Sequence, residues 1–213
     1  MITLLGKAES RASRCLWVLE EIGVEYIHKP LHYRTDDVRT EEFLTINPGA
    51  KIPALTDDKD GKGVTLFESL AIALYLAQTY GHGSVWPADA RGQGLCLQWT
   101  LFAATELEPP AVNRLIEFIF KDTPDEEVLK QLVGTTAKAL DVLEATLSRT
   151  IFLAGDSITI ADLNVAGVID YLVRTSFDLS SWPKTSAWAK SCFELPSFIR
   201  VEEIKAAERA AAI

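Results

Sequence analysis

Residues Asn47 to Leu76 read NPGAKIPALTDDKDGKGVTLFESLAIALYL, and the order of textures in this stretch decides the fold. KIPALT and GVTLF flank the turn-rich DDKDGKG like the arms of a hairpin, with the acids Asp57, Asp58 and Asp60 reading as a solvated turn. A helix then runs from about Glu68 to Tyr80, because Ala71, Ile72, Tyr75, Leu76 and Thr79 fall on one stripe. The chain thus places an extended run containing a proline beside a carboxylate and a hydroxyl at the mouth of a helix. That combination suits a small zwitterionic ligand.

Upstream of this stretch, short β-prone runs alternate with helical patterns. ITLL (Ile2 to Leu5) is a candidate strand, and Ala12, Cys15, Leu16, Leu19 and Ile22 recur at helical spacing until Gly23 stops the pattern. VEYIHKP, ending at Pro30, suggests a second strand, and Asp36 to Phe43 a short helix. The order is therefore β-α-β-α-β-β-α. Downstream, GHGSVWPADARGQG has the glycine, proline and polar content of a linker, and the rest of the chain is almost wholly helical. Leu129, Leu132, Val133, Leu140, Leu143 and Leu147 mark one amphipathic helix, and Pro109-Pro110 divides or kinks an earlier one. In SITIADLNV, Thr159 and Asp162 form a capping box with Ile158 and Leu163 as its hydrophobic staple. Trp182-Pro183 and Leu195-Pro196 punctuate two further helices.

Composition narrows the function classes. A chain of 213 residues, 48% hydrophobic, supplies a core sufficient for one large domain or two small ones. With 21 Lys plus Arg against 30 Asp plus Glu, the net charge of −9 repels phosphate backbones and anionic lipid, so nucleic acid and membrane surfaces are not expected partners. The opening MITLLGKAES lacks the pattern of a secretory signal, and no apolar run matches a bilayer span. Cys15, Cys96 and Cys192 are widely separated, which fits free thiols in a reducing compartment and predicts a soluble cytoplasmic protein. His28 and His32 flank Pro30 with no HExxH or carboxylate pattern, so no metal is expected; GxSxG, the P-loop and GxGxxG are absent as well.

The opening strand with its serine-containing turn, NP..KIPAL, ESLAIALYL, the linker and SITIADLNV together resemble the cytosolic glutathione transferase family, from Leu4 to about Phe198. The resemblance implies an α/β plus all-α architecture: a thioredoxin-like N-terminal domain (1–81) that binds glutathione, a linker (82–90) and an all-helical C-terminal domain (91–213) that contributes the second-substrate pocket. It also implies a homodimer. On X-Pro statistics alone Pro53 would be trans; the resemblance implies a cis bond, with Ile52 offering its N–H and C=O to the cysteinyl part of glutathione like an added strand. Glu68 would face the ligand's ammonium, and Ser69 with the helix N-terminus would hold the γ-glutamyl carboxylate. Acids and serines also serve as ordinary caps in first turns. Lys51 is a candidate for the glycyl carboxylate or a solvated surface lysine.

Catalysis centres on GKAESRASRCLW. A free thiol has a pKa of roughly 8.5, and each unit removed needs ~1.4 kcal/mol of differential stabilisation, within reach of a charge-assisted hydrogen bond and a helix N-terminus. No tyrosine precedes Tyr26, which excludes the tyrosine type. Ser10 is the candidate thiolate stabiliser because S-R-A-S-R resembles the S-x-x-x-R of serine-type members, with Ser13 as its competitor. Arg11 would add positive potential and Arg14 reads as structural. Cys15, on the apolar stripe, is expected to be buried and inert. Trp99, Leu107 and Phe118 read as core, and Phe102 alone is kept as a candidate lining an acceptor site.

The function implied is conjugation of glutathione to an apolar electrophile, a detoxifying transferase reaction. The same fold also serves as a non-enzymatic interaction module, and the same groove serves glutathione-dependent reductases, isomerases and peroxidases.

Overall fold

A computed structural model describes residues 1–211, with Asp60 described by its backbone alone; the last two residues of the range expected for the second domain lie outside the described residues. The described chain forms two compact units, Met1–Trp86 together with residues from Leu195 onward, and Pro87–Glu194. In the first unit, β1 (Ile2–Leu5), β2 (Tyr26–Lys29), β3 (Ala54–Asp57) and β4 (Val64–Phe67) make one sheet in the order β2-β1-β3-β4. β1 runs parallel to β2 and antiparallel to β3, and β4 is antiparallel to β3. Parallel neighbours need a crossover helix. It is supplied by α1 (Ala12–Ile22), which Gly23 ends in the left-handed conformation at φ 66° with its N–H on the Leu19 carbonyl. This is the thioredoxin-like arrangement expected.

α1 buries more than one stripe, from Ala12 through Leu19, because it packs against both α3 (Ser69–Tyr80) and α9 (Pro196–Ala211). Its Trp17 indole donates to Ser197 Oγ at 3.0 Å and meets the Phe198 ring edge-on. The second domain expected from sequence runs through this last helix, whereas in space α9 belongs with the first unit. The helix expected over residues 36–43 is two pieces, a 3-10 turn at Asp36–Arg39 and α2 at Glu41–Ile46. Thr40 separates them by adopting an extended conformation and capping the Phe43 N–H at 3.2 Å. On α3 the buried face is Ser69, Ile72, Ala73, Leu76 and Ala77, and Ala71 is exposed; in so apolar a helix the neighbour, not periodicity, selects the face. Asp57 departs from the solvated turn expected of it. It ends β3, is 1% exposed, and accepts hydrogen bonds from Tyr75 (2.8 Å) and Tyr80 (2.5 Å). Asp58 is exposed as expected.

The second unit holds α4 (Ala90–Phe102), α5 (Glu108–Phe120), α6 (Glu126–Leu147), α7 (Ile160–Arg174) and α8 (Pro183–Phe193). A π-helical turn, Ala103–Leu107, joins α4 to α5. Pro109 and Pro110 have no N–H to offer the carbonyls four residues back, and the helix widens just before them. α7 is buried almost all round, and its capping box forms as the sequence predicts, with Thr159 N–H on Asp162 Oδ2 at 2.9 Å. Asp162 also accepts from the Leu153 N–H and the Trp188 indole. Trp99 and Leu107 are core, and Phe102 packs edge-on against Trp99. Val133 and Phe118 are instead exposed, 43% and 44%.

Candidate active site

The turn between β1 and α1 is built around Gly6. Its φ is 142°, and a Cβ added there would lie 3.1 Å from Ile52 Cβ, 3.2 Å from Ala12 Cβ and 3.3 Å from Pro53 Cα. Only a residue without a side chain lets the end of the first strand, the start of the first helix and the Ile52-Pro53 segment approach this closely. Gly6 was not singled out from the sequence; a glycine directly after a strand and before a helix is the signal for it.

Ser10 lies further along this turn, half-buried, just before α1. Its hydroxyl donates to the Lys7 carbonyl at 2.7 Å and accepts from the Ala12 N–H at 3.1 Å. It therefore acts as a local cap while its oxygen stays at the helix mouth. Ser13 lies inside the helix. Cys15 is fully buried, its thiol pushed up to about 12 by burial, which makes it the inert core residue expected.

Ile52 and Pro53 are joined by a cis peptide bond, as the resemblance implies. The strand ladder begins only at Ala54, and among the described residues neither backbone polar group of Ile52 joins the turn and loop hydrogen bonds. Lys51 is exposed beside it. Asn47, 3% exposed, sets this loop: its Nδ2 donates to the Lys51 carbonyl at 2.7 Å and its Oδ1 accepts from the Gly49 N–H at 2.9 Å. Sequence reasoning passed over Asn47, although Asn-Pro-Gly carries the signature of a side-chain-stabilised turn.

At the mouth of α3, Glu68 is the exposed N-cap residue with φ 72°, a conformation that side-chain-bearing residues adopt at a cost and that recurs at functional sites. Ser69, 4% exposed, is more enclosed than a ligand-facing hydroxyl suggests. Its Oγ accepts from Arg14 Nη1 at 3.3 Å, and its carbonyl accepts from the Cys15 thiol at 3.6 Å. Arg14 is thus the structural residue expected, with the added consequence that a buried guanidinium backs the helix mouth. The first turns of α1 and α3 are tied together in this way, while Gly6 ties the first turn of α1 to Ile52 and Pro53. These two links connect the start of α1 with Ser69 on one hand and with Ile52 and Pro53 on the other.

α9 also reaches this turn. Glu208 Oε2 accepts the Ala8 N–H at 2.9 Å, and Arg209 Nη1 meets Glu9 Oε1 at 2.7 Å. Partial burial raises the Glu9 carboxyl, but Arg209 and Lys7 together outweigh it and hold the group below the usual carboxylate range.

Comparison with known proteins gives the same direction. A family model described as glutathione S-transferase, N-terminal domain, matches residues 1–78, and one described as glutathione S-transferase, C-terminal domain, matches residues 107–196. A glutathione S-transferase of Hyoscyamus muticus is 30% identical over 213 residues, spanning 95% of this chain and 98% of its own. The crystal structure of poplar glutathione transferase F1 superposes with a TM-score of 0.87 at 29% identity, over 97% of this chain and 98% of that one. A glutathione S-transferase-I solved with lactoylglutathione superposes with a TM-score of 0.85 at 28% identity, over 96% and 98% of the two chains.

Proposed function

This chain belongs to the glutathione S-transferase family, and from that premise we propose that it binds glutathione on the first unit and directs the thiolate at an apolar electrophile, with Ser10 stabilising the sulfur. The observation that carries the proposal is the contact of Gly6 with Ile52 and Pro53, which sets the Ser10 turn beside the unladdered backbone of Ile52.

Ile52 pairs with the cysteinyl backbone of glutathione as an added strand, and Pro53 ends the ladder there. The exposed carboxylate of Glu68 meets the ligand's ammonium. The γ-glutamyl carboxylate takes the free N–H groups at the start of α3, aided by Ser69: because Ser69 Oγ accepts from Arg14, its own proton remains to be donated to an anion. Lys51 pairs with the glycyl carboxylate. Ser10 turns its hydroxyl proton from the Lys7 carbonyl to the sulfur, which lowers the thiol pKa without the serine ever becoming the nucleophile. The sulfur attacks the electrophile, and positioning supplies the remainder of the rate. A homodimer in the cytoplasm completes the proposal; three buried free cysteines suit a reducing compartment.

Ser10→Ala tests the central step. Retention on immobilised glutathione is expected to persist, while thiolate absorbance of the bound cosubstrate titrates ~1–2 units higher, cutting the thiolate fraction at a pH below both values roughly 10–100-fold. An unchanged titration removes Ser10 from the chemistry. Failure of the unaltered protein to bind the resin would favour the interaction-module alternative.

A further inference from the structure

Glu208 lies 200 residues from the turn it touches. The N–H it grips, that of Ala8, and the carbonyl that holds the Ser10 hydroxyl, that of Lys7, are the two ends of one peptide unit. Because a peptide is planar and rigid, fixing one end fixes the other. The same Lys7 carbonyl also accepts the Ser10 N–H at 2.9 Å, so both the backbone and the side chain of Ser10 hang from this unit.

The carboxylate is set for this contact. Its side chain is 13% exposed, and its other oxygen, Oε1, lies 3.6 Å from Nδ1 of His28, whose own side chain is 15% exposed. His28 Nε2 is 2.8 Å from the Gly6 carbonyl, so the imidazole of β2 stands between Glu208 and the other end of the same turn. The neighbouring pairs, Arg209 with Glu9 and Glu9 with Lys7 at 3.3 Å, lie nearer solvent and are screened. The interior contact is the one able to hold geometry.

We propose that Glu208 is a positioning residue for the transferase reaction, gripping the Lys7-Ala8 peptide so that Ser10 is held where the glutathione sulfur binds. The inference rests on the assignment of Ser10 as the thiolate stabiliser. Two effects of losing Glu208 oppose each other. A carboxylate on the N–H polarises the peptide and strengthens the competing Lys7 carbonyl by about 10–30%, so its loss frees the Ser10 proton slightly. Loss of the grip also releases a whole peptide unit from one geometry, which is the larger effect because the hydrogen bond to sulfur depends steeply on distance and angle. Removing Glu208 therefore raises the bound thiol pKa.

Glu208→Ala and Glu208→Gln are prepared in the full chain, alone and with Ser10→Ala. Thiolate absorbance of bound glutathione is titrated, and kcat is separated from the KM for glutathione. Glu208→Ala is expected to raise the thiol pKa by ~0.5–1 unit, a roughly three- to tenfold loss of thiolate at a pH below both values, appearing in kcat rather than KM. Glu208→Gln keeps an oxygen for the Ala8 N–H and is expected to restore most of that shift. In the Ser10→Ala background Glu208→Ala adds nothing, because the residue acts through Ser10. Should Glu208→Ala not fold, Glu208→Asp withdraws the carboxylate while keeping its charge, with a shift of the same sign. The proposal is overturned by an unchanged pKa in the Glu208 variants while Ser10→Ala shifts it, or by a Glu208 shift that persists in full without Ser10. If Ser10→Ala itself shifts nothing, the parent assignment fails and the inference with it; that result is visible from the single variant.

Discussion

Gly6→Ala is expected to damage stability and glutathione binding together. The glycine has φ 142°, and an alanine Cβ there would stand 3.1 Å from Ile52 Cβ, 3.2 Å from Ala12 Cβ and 3.3 Å from Pro53 Cα. Holding a side-chain-bearing residue in that region of φ costs ~1–3 kcal/mol. Forcing a methyl group into a packed junction costs a further ~1–3 kcal/mol, since the atoms it meets belong to the backbone or to Cβ positions and cannot swing aside as a long side chain would. The total is ~2–6 kcal/mol. Relief requires the Ile52-Pro53 segment to retreat from the Ser10 turn, so the KM for glutathione is expected to rise several-fold even in the fraction that folds. Urea unfolding at fixed protein concentration measures the first quantity, with an expected fall in midpoint of roughly 1 M or more for an unchanged slope. Steady-state kinetics measure the second. A variant within ~0.5 kcal/mol of the parent and with an unaltered KM would refute the claim that close approach at Gly6 assembles the site.

Asp162→Ala strands the Leu153 and Thr159 N–H groups and the Trp188 indole, each 2.9–3.0 Å from the carboxylate in the parent. A loss of ~3–5 kcal/mol in denaturant unfolding is expected, and a loss under ~1 kcal/mol would show that water or neighbours satisfy them. Alkaline stability supplies another check. The Tyr75 hydroxyl is pushed up to about 12 by burial, with the Asp57 hydrogen bond and charge adding to it. A tyrosine in the unfolded chain ionises near 10, so the stability linked to this shift is whole below about pH 10 and is lost as pH rises through about 12. Unfolding midpoints of the parent should drop across that window and those of Tyr75→Phe less steeply; parallel slopes would refute the assignment.

Much of the local structure was legible because it is written in short-range pattern. Gly23 stops α1, Thr159 and Asp162 cap α7, and the proline pair at 109 and 110 marks the π-helical turn, each through the chemistry of residues within a few positions. Ser10, Ile52, Pro53 and Glu68 were selected for similar reasons, together with a family resemblance that no periodicity supplies. Misreadings arose where a neighbour decides. Asp57 looked like part of a polar turn until the hydroxyls of Tyr75 and Tyr80, 18 and 23 residues on, enclosed it. Thr40 broke an apparently continuous helix by capping the second half with its own side chain.

Taken alone, the sequence determined the element order and the main helix stops and caps, and it nominated the groups proposed to bind a zwitterionic tripeptide, because these depend on backbone propensity and side-chain chemistry. Tertiary structure alone decided that Gly6 brings Ile52 and Pro53 to the serine turn, that Arg14 stands behind Ser69, and that α9 sends Glu208 back to Ala8. Such contacts join positions 46 to 200 residues apart, where no spacing rule operates, and the close packing of strands and helices chooses which side chains meet.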